Sequence, residues 1–135
     1  MACLDTTVLV DLGRPRAKAS ARAFRKVEEL AGRGETLATT RFNVAELYVG
    51  VARAGNANAE RRAVQALLED LEILEFGDPA ARLFGQITAH LQAIGRPAGD
   101  MDVLIAATAM AAGHCLVTRN VPHFANIPAL AAESY

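Results

Sequence analysis

Four short apolar runs punctuate the chain: ACLD (2–5), TLATT (36–40), ILEF (73–76) and HCLVT (114–118). Runs of this length, rich in Leu, Val, Ile and Thr, predict buried strands. The stretches between them predict helices. Residues 8–12 form a turn or short helix. From Lys18 to Ala31, apolar Ala21, Phe24, Val27 and Leu30 recur at spacings of three, the pattern of an amphipathic helix that Gly32 and Gly34 end. A helix over 41–54 is capped by Thr39 or Thr40 and closed by Gly55 and Asn56, and another covers 59–71. Asp78 and Pro79 open a helix that runs to Ile94 and is broken by GRPAG. The segment GDMDVLIAATAMAAG (99–113) is apolar almost throughout and reads as a buried helix feeding the fourth strand. Strands separated by helices predict an α/β fold, a parallel sheet with right-handed crossovers. With no repeat, low-complexity segment or linker, residues 1–135 read as a single domain.

Composition narrows the class. Hydrophobic residues make up 52% of the 135 and charged ones 21%, too apolar for a disordered chain. No apolar run approaches the roughly 20 residues needed to span a bilayer, so no membrane partner is expected. The opening MACLDTTVLVDL lacks the basic region and cleavage site of a secretory signal, and a cytoplasmic location is the expectation. Cys3 and Cys115 sit in strand-like runs as buried thiols. His90, His114 and His123 lack zinc-site spacing, and His114 starts a strand.

The anomalies are acids in apolar surroundings. In parallel α/β sheets, ligands collect at the carboxyl ends of the strands. Asp5 ends the first strand, Thr118, Arg119 and Asn120 follow the fourth, and Asp102 heads the helix that feeds it. Glu46 shares a helix face with Phe42, Val49 and Gly50, where a carboxylate is costly unless paired or metal-bound. Pairing across the surface to Arg41 or Arg53 is the ordinary explanation. Asp100 and Asp102 point in different directions, because successive helical residues are about 100° apart. One of them serves as helix cap; the other needs a different purpose. Gathered together, Asp5, Glu46 and Asp102 repel one another unless a cation lies among them, and Mg²⁺ or Mn²⁺ is the hard ion suited to such oxygens. An acidic site of that kind suggests phosphodiester chemistry.

The blocks LDTTVLVDL, NVAELYVGV, DVLIAATA and LVTRNVPHFANIP, in this order over almost the whole chain, resemble a PIN-domain nuclease of the VapC toxin kind. The resemblance implies an α/β/α sandwich with a four- or five-stranded parallel sheet and a Mg²⁺- or Mn²⁺-dependent endoribonuclease site. It also implies an RNA substrate, pairing with a small VapB-like antitoxin, and a homodimer. By the same resemblance the metal-binding acids fall on Asp5, Glu46 and Asp102. A fourth catalytic position, often Asp in the family, is Asn120 here, a neutral ligand that weakens the case for a second tightly held ion. Thr7 stands where Asn or Ser is common. Thr6, Thr118 and Asp100 become accessory residues, Asp100 as the cap or as a more distant acid. A non-toxin RNA-processing nuclease or a catalytically weak RNA-binding protein of the same fold is the alternative.

A net charge of −1 is a modest footprint for nucleic-acid binding. Its distribution is more informative, because residues 14–33 hold seven cations against Glu28 and Glu29. Arg14, Arg16, Arg22 and Arg25 there, with Arg119 opposite, are the expected RNA contacts, and Arg outnumbers Lys twelve to two, so bidentate phosphate contacts are available. Two other classes fit poorly. A phosphoreceiver domain needs an Asp ending a middle strand and a late Lys, whereas the middle runs end in Thr40 and Phe76 and both lysines, Lys18 and Lys26, lie early. A phosphatase with an Asp nucleophile needs an acid at position 7, which is Thr.

Overall fold

The computed structural model describes residues 1–135. Five parallel strands stand in the order β3-β2-β1-β4-β5: β1 (Ala2–Leu4), β2 (Leu37–Thr40), β3 (Glu72–Leu74), β4 (Cys115–Val117) and β5 (Ala132–Glu133). The helices are α1 (Thr6–Leu12), α2 (Lys18–Gly32), α3 (Arg41–Arg53), α4 (Ala57–Leu68), α5 (Asp78–Ala93), α6 (Asp100–Ala111) and α7 (Val121–Phe124). The α/β class and the α/β/α sandwich are as anticipated. No helix is long and apolar enough to cross a membrane.

The strands are apolar throughout because both faces of the sheet are covered. Side chains alternate between faces. Cys3 and Leu116 face a core built with Leu91, Ile105 and Ala106 of α5 and α6, whereas Leu4 and Val117 face one built with Leu9, Leu30, Leu47 and Val64. Helix α6 is apolar on most sides because Val103, Ile105, Ala106, Ala107, Thr108 and Ala109 are all buried. It ends where Gly113 turns with φ +72°, a left-handed conformation that suits glycine, and delivers the chain to β4.

Register positions the site. Leu4 pairs with Val117, and the Asp5 amide donates to the Val117 carbonyl at 2.9 Å, so Asp5 and Thr118 emerge side by side. From β1 the chain builds outward to β2 and β3, then returns through α6 to β4 on the other flank of β1. The crevice between β1 and β4 is therefore where the strand order reverses, the expected place for a ligand.

Several local expectations are corrected. Phe24 is 50% exposed and Ala21 is exposed; α2 instead buries Ser20, Ala23, Lys26 and Leu30. Lys26 is carried inside because its Nζ donates to Glu133 at 2.7 Å and Glu29 at 3.1 Å. Cys115 is only partly buried, beside Glu133, while Cys3 is fully enclosed and burial pushes its thiol up to about 12. His114 precedes β4 rather than starting it. Helix α7 and strand β5 have no counterpart in the sequence pattern, being four and two residues long.

Candidate active site

Asp5 is the N-cap of α1 by backbone conformation, yet its side chain makes no capping bond. The carboxylate is thus free to face the crevice, where it is 6% exposed and held by three donors. Asn43 Nδ2 donates to Oδ1 at 3.0 Å, and the hydroxyls of Thr118 and Thr7 donate to Oδ2 at 2.7 and 3.3 Å. Thr118 in turn accepts from the Asn120 amide at 3.0 Å, so one hydroxyl orients both the acid and the turn after β4.

Asn43 is the site residue that the pattern reading missed. It is fully buried and does two jobs. Its amide N–H donates to the Thr40 hydroxyl while its side-chain oxygen accepts from the Thr40 amide and hydroxyl, a capping box at the start of α3. Its side-chain NH₂ reaches Asp5 and also Thr6 Oγ1 at 2.9 Å. Thr6 passes this on by donating to Glu46 Oε1 at 2.7 Å. The Thr40-x-x-Asn43 spacing was the available signal.

Glu46 and Asp102 complete the acidic set. A hollow of about 220 Å³ is lined by Asp5, Thr6, Glu46, Asp102, Arg119 and Asn120, with Thr7 and Val10. Neither Arg41 nor Arg53 neutralises Glu46; Arg41 is spent on Glu75. Burial pushes the Glu46 carboxyl above the usual carboxylate range, and the charges of Asp5 and Asp102 add to this against the Thr6 hydroxyl. Asp102 is raised as well, first by burial and further by Asp5, with His123 opposing at 4.0 Å. The acids therefore share a negative field that no side chain fully balances.

The two acids at the head of α6 separate cleanly. Asp102 lines the hollow, whereas Asp100 is exposed and does not. Asp100 is not the cap either: Gly99 occupies that position and no side chain caps the helix, leaving Asp100 an acid of the first turn that complements the helix dipole.

Arg119 is held in place by a buried acid. Its guanidinium does not reach out freely but donates from one nitrogen to both oxygens of Asp11, at 3.0 and 2.8 Å. Asp11 is 3% exposed and also accepts from the Tyr135 hydroxyl at 2.6 Å. Burial and that bond hold the Tyr135 phenol well above its ordinary range. Arg14, Arg16, Arg22 and Arg25 are all exposed, as expected of them; Arg22 and Arg25 stand around a separate hollow with Tyr135.

No three acids, histidines or cysteines approach closely enough to cage an ion by themselves. That arrangement fits a hydrated hard dication better than a dedicated protein cage, because Mg²⁺ keeps several waters and binds through one or two carboxylates plus phosphate oxygens. Asp5, Glu46 and Asp102 are the groups that would hold it.

A parallel sheet with three acids and a neutral amide at its crossover crevice defines a carboxylate-lined α/β nuclease-type site. The PIN domain family model matches residues 2–129, and the chain belongs to the PIN-domain family, in its VapC branch. It is 31% identical over 107 residues to Ribonuclease VapC2 of Rickettsia felis, covering 79% of this chain and 80% of that one. To Ribonuclease VapC19 of Mycobacterium tuberculosis it is 31% identical over 130 residues, covering 96% and 97%. Its fold superposes on the crystal structure of VapBC2 from Rickettsia felis bound to a DNA fragment from their promoter, with a TM-score of 0.89 at 28% identity, covering 99% of this chain and 98% of that one.

Proposed function

We propose that the protein is a Mg²⁺- or Mn²⁺-dependent endoribonuclease and the toxin of a toxin–antitoxin pair. The observation that carries the reading is the convergence of Glu46 from α3, Asp102 from α6, and Asp5 and Asn120 from the turns after β1 and β4 on one hollow at the strand crossover. When bound, the ion supplies an activated water and charge stabilisation at the leaving oxygen. The chain's own contribution is orientation. Asn43, Thr7 and Thr118 fix Asp5, and Thr6 fixes one oxygen of Glu46, leaving the other oxygen to the hollow. Buried hydrogen bonds of this kind hold ligands in place before substrate arrives.

The relatives' names support RNA as substrate, and a solved complex of toxin with antitoxin supports a protein partner. A groove of about 460 Å³, lined by Leu9, Val10, Leu47, Val64 and Leu67, opens beside Glu46, and is the surface an antitoxin segment would cover. The solved structures of related toxin–antitoxin complexes support association, and a homodimer is the reading proposed for this chain.

Incubation of the purified protein with single-stranded and structured RNAs tests the reading. Endonucleolytic products are expected with Mg²⁺ or Mn²⁺ and none with EDTA; cleavage that survives EDTA would refute the metal site.

Asn120 gives a second test. One tightly held ion is expected in the absence of RNA, because an amide adds no charge to the set. Asn120→Asp should tighten Mn²⁺ binding on the order of tenfold, as added ligand charge generally does. Titration calorimetry that finds two tight ions in the unmodified protein contradicts this.

A further inference from the structure

A second cleft, of about 390 Å³, adjoins the acidic hollow and shares Asp102 with it as a common wall. Its other walls include Arg96, Pro97, Pro122, His123 and Asn126. Its one full cation is Arg96. Arg96 is exposed and engages no acid, and the Nδ1 of His123 lies 4.0 Å from Asp102.

An RNA strand brings its own negative charge to a hollow already crowded with carboxylates, so the strand needs positive groups alongside. Arg119 lines the hollow but is tied to both oxygens of Asp11. Arg22 and Arg25 surround a different hollow. Two arginines that share a hollow with one of the acids have a guanidinium uncommitted to any protein group: Arg14, in the largely apolar groove beside Glu46, and Arg96, in the more polar cleft that shares Asp102 with the acidic hollow. The cleft that extends the acidic hollow is the one that Arg96 faces. The Arg96 backbone is set by the close of α5, where its amide donates to the Leu91 carbonyl at 2.9 Å. Pro97 and Pro122 restrict the backbone around the cleft.

We infer that this cleft carries the RNA strand beyond the acidic hollow, with Arg96 gripping the phosphodiester next to the one to be cut and His123 and Asn126 bordering the adjoining nucleotide. The inference rests on the ribonuclease reading for the location of the cut. A guanidinium matches two phosphate oxygens at once, which an ammonium does not.

The test separates binding from cleavage. With a short fluorescent single-stranded RNA and the Asp5→Asn protein, adding Arg96→Ala should weaken binding about tenfold and lower the slope of log affinity against log salt by about one. Arg62→Ala, which removes an exposed charge on α4, should leave both unchanged. In the active protein Arg96→Ala should raise KM about tenfold with kcat held within about twofold, the mark of lost uniform binding. Arg96→Lys should restore the salt slope while recovering only part of the affinity. Unchanged binding and KM in Arg96→Ala, beside an unmodified protein that cleaves, overturns the inference and leaves the ribonuclease reading standing. A fall in kcat at constant KM overturns it too. Should the unmodified protein fail to cleave any RNA while Arg96→Ala still weakens RNA binding, the ribonuclease reading falls and the strand-binding cleft remains.

Discussion

Asp102→Asn is expected to lower metal-dependent RNA cleavage at least about a hundredfold without lowering the melting temperature, while Asp100→Asn remains within about twofold of the unmodified protein. The side chain of Asp102 is 33% exposed and lines the acidic hollow with Asp5 and Glu46. Its carboxyl is raised by burial and by Asp5, so carrying its charge costs the folded chain stability. A neutral isostere therefore removes repulsion from the fold as it removes charge from the site. Asp100 lies in the same helical turn but outside the hollow, and it forms no capping bond whose loss would matter. Cleavage rates and melting temperatures for the two variants side by side decide the assignment. An inactive Asp100→Asn beside an active Asp102→Asn reverses it.

Arg119→Ala is expected to cost the fold about 2 kcal/mol, or roughly 6–8 °C in melting temperature, more than a surface ion pair would. The reason lies with its partner. The Asp11 side chain is 5% exposed against 45% for Arg119, so truncating the arginine strands a buried carboxylate with the Tyr135 hydroxyl as its remaining side-chain donor. Asp11→Ala combined with Arg119→Ala should recover part of that loss, since the stranded charge is gone. Thermal denaturation of the single and double variants measures it. A double variant that is the sum of its parts would show that the pair is not coupled. The Arg119 amide also donates to Thr7 at 3.1 Å, a backbone bond that alanine keeps, so the turn that presents Asn120 stays anchored in the same variant.

The sheet was legible because strands covered on both faces leave continuous apolar runs, and the acids were legible because they interrupt apolar surroundings. The face of α2 was misread for a geometric reason. Residues spaced strictly by three drift about 60° per step around a helix, so Ala21 and Leu30 stand on opposite sides, and the buried stripe follows Ser20, Ala23, Lys26 and Leu30 instead, with Val27 partly buried beside it. Strand β5 escaped because Ala132 and Glu133 carry no apolar pattern; pairing with β4 makes them a strand. The ties of Asp11 to Arg119 and Tyr135 span more than a hundred residues and leave no local trace. Asn43 lay inside a recognised block, but its polar character gave no sign that it would be fully buried beneath two acids.

The hollow draws on positions 5, 46, 102 and 120, and β4, which carries the turn to Asn120, is flanked by β1 and β5. A ribosome making this chain therefore holds a fragment with an incomplete hollow for most of the time of synthesis. The hollow closes late, as the final fifth of the polypeptide docks beside its first strand, and a product truncated before that point would lack Asn120 and the hydroxyl that steadies Asp5. On the proposed reading, premature termination disarms the chain by geometry alone, with no inhibitor required.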